Sequence, residues 1–293
     1  MTTLPDPRTQ YARPPFDDQQ PTELPGSIDQ LHPKADHGET SYKGAKRLEG
    51  LRALITGGDS GIGRATAIAF AREGAHVAIN YLSEESDAQS TIELVKECGV
   101  DGHALPGDLT DESFCKSLVH DAHSKLGGLD VLINNAAFQE TRDAIDEFST
   151  ELFDKIYKTN VYAPFWLSRE AINLLPAGGS IINTVSIQAY SPTAELLPYA
   201  TTKSALVGMT KAMAKLAMSK GVRINGVAPG PVWTPLIPGS MDIEKARKFG
   251  QGTLFERPAQ PVELAPLFVW LASPAASYVT AEIYGATGGS SPF

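Results

Sequence analysis

Cysteine is nearly missing from this chain: Cys98 and Cys115 are the only two in 293 residues. Two thiols build neither a disulfide framework nor a structural zinc site, and they suit a reducing compartment. Histidine is sparse as well. Its six residues form no ligand-like cluster, so no metal site is expected. No apolar run approaches the roughly 20 residues needed to span a bilayer. The opening M-T-T-L-P-D-P-R lacks the basic and apolar regions of a secretory signal, and the closing S-S-P-F is not the S-K-L peroxisomal address. Positive charge is also short. With 25 Lys and Arg against 34 Asp and Glu, the net charge is −9, which argues against nucleic acid or an anionic membrane as the main partner. What these absences leave is a cytoplasmic protein with small-molecule partners.

Proline, by contrast, is concentrated at the start. Pro5, Pro7, Pro14, Pro15, Pro21, Pro25 and Pro33 punctuate a polar segment over residues 1–45 and deny it helix and central strand alike. Such a segment is either a disordered tail or an extended arm. Tyr11, Phe16, Leu24, Ile28 and Leu31 give an arm apolar points with which to dock on its own domain or a neighbouring subunit. Residues 46–293 read differently. Short apolar runs at 51–56, 76–81, 102–108, 130–135, 180–185, 223–228 and 281–285 are rich in Val and Ile and bounded by Gly or Asn, as buried strands are. Amphipathic stretches such as 64–74, 113–125 and 202–217 lie between them. This alternation predicts a single α/β domain, a doubly wound parallel sheet of about seven strands with helices on both faces. The stretch 231–258 interrupts the pattern as a loop excursion.

The first strand runs into T-G-G-D-S-G-I-G-R, Thr56 to Arg64, and then into a helix. Gly57, Gly61 and Gly63 permit a tight turn and close approach of backbone to helix. The helix N-terminus then offers free N–H groups and its positive dipole end to a pyrophosphate. A glycine turn that merely packs a helix on a strand is the plainer alternative. At the end of the second strand, about 20 residues on, stands Asn80, where an Asp or Glu would bind both ribose hydroxyls and repel a 2′-phosphate. Arg64 and Ser83 are candidates to hold such a phosphate. The sequence accepts NADP or NAD, with NADP favoured.

Further motifs stand in order: D-L at Asp108 and Leu109, N-N-A-A at 134–137, S-I-Q-A-Y at 186–190, Y-A-T-T-K at 199–203 and R-I-N-G-V-A-P-G-P-V-W-T at 223–234. Together with the glycine turn, over residues 48 to 289, they resemble the short-chain dehydrogenase/reductase family. The N-terminal extension is similar to that of its general stress-type branch. The resemblance implies a Rossmann fold and an NAD(P)(H)-dependent oxidoreductase that moves a hydride between nicotinamide and an aldehyde, ketone or secondary alcohol. It implies that Tyr199 is the acid or base, that Lys203 binds the nicotinamide ribose and lowers the tyrosine pKa, and that Ser186, thirteen positions before Tyr199, donates to the substrate carbonyl. Asn160 matches a helix asparagine that supports a proton relay. Cofactor contacts are implied for the glycine turn with Asp59, Ser60 and Ile62, for Asn80, Tyr81 and Ser83, for Asp108 and Leu109, and for Asn135 and Ala136. Pro229, Gly230, Val232 and Thr234 complete the set. Ala137 stands where the family usually has glycine.

Each residue taken alone has a plainer role. Tyr199 and Lys203 share one helix face and can be an ordinary surface couple. Asp108 can cap a helix, and Asn160 can be a satisfied interior polar residue. The joint order favours the chemical reading. The substrate pocket is expected from Gln139, Gln188, Tyr190, Leu196 and a lid that carries Trp233, Leu236, Ile237, Met241 and Phe249 with Gly239 and Gly250 as mobile points. The resemblance also implies a homo-oligomer, usually a tetramer, through helices near 159–175 and 198–218. Two rival functions remain open. A nucleotide-sugar epimerase or dehydratase also uses a Tyr–Lys pair, but such enzymes carry a larger C-terminal substrate domain than the short stretch after Gly230 allows. The other rival is a nicotinamide-binding redox sensor without turnover.

Overall fold

The computed structural model describes residues 4–290, so the ends of the arm and of the domain that the sequence delimits, residues 1–3 and 291–293, lie outside it. Seven strands form one parallel sheet: β1 (Arg52–Thr56), β2 (His76–Tyr81), β3 (Gly102–Pro106), β4 (Val131–Asn134), β5 (Ser180–Thr184), β6 (Arg223–Pro229) and β7 (Ile283–Ala286). Their order is β3-β2-β1-β4-β5-β6-β7. The chain therefore winds outward from β1 in one direction, returns, and winds outward from β4 in the other. In such sheets ligands bind at the carboxyl ends of the strands where the order reverses. Thr56 pairs with Asn80, and Ile55 with Ile133, so β1, β2 and β4 end level beside that point.

Helices cover both faces, because strands apolar on both sides must be buried on both. On one face lie α1 (Gly61–Arg72) and α2 (Glu85–Glu97); on the other lie α3 (Glu112–Leu126), α4 (Thr150–Tyr157), α5 (Ala163–Leu174) and α6 (Leu197–Ala217). Short α7 (Leu236–Ser240) and α8 (Ile243–Arg247) occupy the segment after β6, and α9 (Pro261–Ala272) returns to pack against α1. One core joins α1 and α9 to Ile55, Ile79 and Ile133. The other joins α3 and α5 to Leu54, Leu132 and Ile181. Between α4 and α5 the helix widens into a π-turn at Lys158–Tyr162, which carries Asn160. π-turns of this kind shift the helix register at one point and are frequent at functional sites.

The proline-rich arm is ordered against its own domain. Phe16 and Leu31 are buried with Trp233 in a small cluster, and the rings of Phe16 and Trp233 lie 4.6 Å apart. The Trp233 indole donates to Pro33 O at 2.8 Å, and Arg257 donates to Pro7 O at 2.9 Å while covering the Tyr11 ring. At the junction, the Glu73 carboxylate accepts from Tyr42 Oη and from the backbone N–H groups of Ala45 and Arg47. Proline limits the arm to short local hydrogen bonds, among them a 3-10 turn at Ile28–Gln30 that departs from the helix-free segment the sequence suggests, and other backbone groups pair with the domain, as Phe16 N does with Arg247 O at 2.8 Å.

Candidate active site

A cavity of about 610 Å³ opens over the strand ends at the reversal point. Its floor is the turn after β1, where Gly57, Asp59, Ser60, Gly61 and Ile62 line it. Gly57 and Gly61 have φ of +60° and +51°, a region that favours glycine. A Cβ on Gly61 would lie 3.0 Å from Thr234 Cγ2, and one on Gly63 only 1.9 Å from Gly57 O. Gly63 itself does not line the cavity; it lets α1 sit tightly on the turn. Ser60 makes no side-chain cap to α1, whose first residues Gly61 and Ile62 line the cavity, so its side chain satisfies none of the first-turn N–H groups. A helix start of this kind receives an anion such as a pyrophosphate. Asn135 braces the turn: its Nδ2 donates to Thr56 O at 3.0 Å and to Gly57 O at 3.2 Å. Ala136 N donates to Thr56 Oγ1 at 3.1 Å, and both residues line the cavity. The residues present fit a dinucleotide.

Most of the sequence-predicted cofactor residues converge here. Asn80 and Tyr81 line one wall, Asp108 and Leu109 the next, and Pro229, Gly230, Val232 and Thr234 the opposite one. Asp108 does not cap a helix. Its Oδ1 accepts from Thr110 N at 2.8 Å, whereas Asp111 caps α3. Asn80 is less free than the sequence suggests. Its amide nitrogen donates to Leu105 O at 3.1 Å and Gly107 O at 3.2 Å, so it also ties β2 to the turn after β3. Besides Gly63, three predicted site residues fall elsewhere. Arg64 turns away into the α2 side, donating to Thr91 Oγ1 at 2.7 Å with Glu39 at 3.5 Å, because burial requires its guanidinium to find partners. Ser83 lies outside the cavity and donates to Glu84 Oε1 at 2.6 Å. Asn160 is buried behind the wall. Its Oδ1 accepts from Phe138 N at 2.8 Å, and its Nδ2 donates to Phe138 O at 2.9 Å and to Thr202 Oγ1 at 3.2 Å, fixing the loop after β4 against α6.

Ser186, Tyr199 and Lys203 meet at the inner end. Ser186 follows β5, while Tyr199 and Lys203 share one face of α6. Lys203 Nζ donates to Thr184 O at 2.7 Å and lies 5.3 Å from the centre of the Tyr199 ring. The expected lowering of the tyrosine pKa does not occur in the chain by itself. Burial pushes the phenol up to about 12, with a hydrogen bond to Ser186 opposing it, and burial pushes Lys203 down to about 7. Removal from water disfavours both charges, so each group moves toward its neutral form. At the adenosine end Asp59 is pushed up to about 6, first by burial and also by the carboxylates of Glu84 and Asp87, against hydrogen bonds from its own backbone and Ser60.

The substrate end is lined by Gln139, Gln188, Leu196, Leu236, Ile237, Met241 and Phe249. Two predicted members do not line it. Trp233 turns outward to the arm, and Tyr190 packs beside Val185 and Leu206, because each large ring finds a deeper apolar cluster there. Segment 231–258 is packed on both sides: Gln139 Nε2 donates to Ser240 Oγ at 2.9 Å and Thr141 N to Ser240 O at 3.0 Å from within, and the arm covers it from without. The sequence missed Leu24 and Pro25 of the arm, which also line the cavity, along with Leu82, Glu84 and Lys155. The apolar residues of the proline-rich segment were the available signal for the first two.

Comparison with known proteins agrees with this arrangement. The sequence profile of a family described as "Enoyl-(Acyl carrier protein) reductase" matches residues 57–291. "Uncharacterized oxidoreductase YghA" of Escherichia coli (strain K12) is 51% identical over 292 residues, with 99% of each chain covered. "NADPH-dependent aldehyde reductase 1, chloroplastic" of Arabidopsis thaliana is 42% identical over 272 residues, 90% of this chain and 94% of that protein. A solved structure of a short chain dehydrogenase from Burkholderia cenocepacia J2315 in complex with NADP is similar with a TM-score of 0.78 and 29% identity, over 83% of this chain and 99% of that one.

Proposed function

The chain belongs to the short-chain dehydrogenase/reductase family of NAD(P)-dependent oxidoreductases, and we propose that it reduces a small carbonyl compound, or oxidises the matching alcohol, with Tyr199 as the acid–base group. The observation that carries the proposal is the meeting of Tyr199, Ser186 and Lys203 at the inner end of a cavity whose floor is an anion-receiving glycine turn. A nicotinamide cofactor, when bound, supplies or accepts the hydride. The chain's own residues manage the proton. Tyr199, held neutral by burial, gives its proton to the substrate oxygen in the reductive direction. Ser186 offers a hydroxyl to the same oxygen, and donors aimed at a developing alkoxide are among the strongest catalytic devices. Lys203 stands beside the phenol, and its charged form stabilises the phenolate left behind. Asn160 acts as a positioning residue that holds α6 in place. The substrate end, lined by Leu236, Ile237, Met241 and Phe249 under a lid formed by segment 231–258, suits an aldehyde or ketone of moderate size. The aldehyde reductase relative supports that class.

The preference for NADP that the sequence suggests rests on Asn80 in place of an acidic residue and on Arg64 and Ser83; Asn80 lines the cavity, and the other two do not. NADP in the Burkholderia structure supports the phosphorylated cofactor as one that is accepted. The lining of the adenosine end, with Asp59 and Glu84, supports NAD(H) as the tighter ligand, since carboxylates pair with ribose hydroxyls and repel a 2′-phosphate. A cytoplasmic location and a tetramer assembled through α5 and α6 belong to the same reading. Among the described residues no helix is long and apolar enough to cross a membrane, and Tyr162 and Phe165 stand exposed at the start of α5. Titration with NAD(H) and NADP(H), followed by a panel of aldehydes and ketones with the tighter form, tests the proposal. Binding with turnover of at least one carbonyl is expected; tight binding with no turnover across the panel would favour a sensor.

A further inference from the structure

We infer that residues 22–28 of the N-terminal arm strap over the dinucleotide groove, with Leu24 and Pro25 forming part of the cofactor-binding surface. The inference rests on the nicotinamide reading above. The segment crosses from one wall of the groove to the other. On the α7 side, Thr22 N donates to Pro238 O at 3.4 Å. A Cβ on Gly239 would lie 2.9 Å from Leu24 Cδ2, so the two are in close contact. Gly26, at φ +59°, turns against Pro235, whose carbonyl oxygen a Cβ there would meet at 3.0 Å. On the α2 side the tether is a buried carboxylate: Asp87 Oδ2 accepts from Ile28 N at 2.8 Å, and Asp87 Oδ1 accepts from Ser27 Oγ at 3.3 Å. Between these anchors, Leu24 and Pro25 line the cavity that is also lined by the glycine turn and by Asn80, Tyr81, Leu82 and Glu84. Thr22, Glu23, Gly26 and Ser27 of the strap line a second hollow together with Ser83 and Glu84 of the loop after β2.

The geometry has a kinetic consequence. A single segment is held at each end, against α7 after β6 and against Asp87 on the α2 side. A dinucleotide lying on the glycine turn has the strap across its exit. Opening the strap requires releasing Asp87, and this step limits both entry and departure. Loss of the Leu24 side chain removes a contact and hastens departure alone. These two signatures separate a strap from a segment that only adds stability.

Stopped-flow fluorescence with NADH tests the inference on the full chain. Parent, Leu24→Ala, Asp87→Ala and the exposed control Arg8→Ala are compared, with thermal melting to confirm that each is folded. The strap predicts that Leu24→Ala raises the dissociation rate about tenfold with little change in association. It predicts that Asp87→Ala raises both rates, and that Arg8→Ala matches the parent. Folded Leu24→Ala and Asp87→Ala proteins with parental rates would overturn it. A parent that binds neither NADH nor NADPH would instead overturn the nicotinamide reading and remove the premise of the strap.

Discussion

Asp59 and the Tyr199–Lys203 pair show how burial sets charge at single residues. Burial holds Tyr199 and Lys203 toward their neutral forms, with Tyr199 up at about 12 and Lys203 down at about 7. A phenol held that high is a weak acid near neutral pH, so its proton transfer depends on the charged form of Lys203 to stabilise the phenolate. Asp59, pushed up to about 6, is protonated in the folded chain below that pH and ionised above it. If its carboxylate discriminates against a 2′-phosphate, discrimination grows as pH rises through about 6. The ratio of the NADP to the NAD dissociation constant is therefore expected to climb more steeply between pH 5 and pH 7.5 in the parent than in Asp59→Asn, where the ionisation of the 2′-phosphate itself remains, measured by fluorescence titration. The same pH dependence in both proteins would take Asp59 out of cofactor choice. The placement of the site residues was partly legible. Tyr199, Lys203 and Ser186 fall where their motifs place them. Arg64 does not, because a long side chain can reach either side of its helix, and its buried partners on α2 and in the arm decide which.

Among the elements, the arm departs furthest from what a sequence reveals. A proline-rich segment has no hydrophobic period, so nothing in it declares which residues face inward. Its order comes from partners far along the chain, such as Trp233 and Arg257. The same cause hid the outward turn of Trp233, which the apolar composition of 231–258 assigned to the pocket. Glu73 anchors the junction of arm and domain. Burial alone would raise its carboxyl, but hydrogen bonds from Arg47, Tyr42 and Ala45 outweigh it and hold the group at about 2. A carboxylate depressed on folding contributes stability above its unfolded value, and that contribution fades as pH falls from about 4.5 toward about 2. Glu73→Gln is expected to lower unfolding free energy at neutral pH by about 2 kcal/mol, since it leaves buried donors poorly matched. Denaturant melts of both proteins should converge as pH drops through that window. A gap independent of pH would contradict the assignment.

For the molecule as a whole, the sheet order places every element of the site at one reversal point. Strand and helix alternation was readable because strands buried on both faces are apolar throughout, and the order of β-strand-end motifs was readable because each caps a predicted strand. What stayed hidden was long-range: the strap from the arm and the packed underside of segment 231–258, which depend on contacts such as Ile28 with Asp87 and Gln139 with Ser240, 59 and 101 residues apart. The central claim joins the whole arrangement, namely that the cavity passes a hydride and Tyr199 passes the proton. It is tested most directly by steady-state reduction in Tyr199→Phe, followed through the near-ultraviolet absorbance of reduced nicotinamide with a carbonyl substrate found for the parent. The account predicts a loss of turnover of about a thousandfold with cofactor affinity within about threefold of the parent, as removal of a general acid requires. Parental turnover in that variant would contradict it.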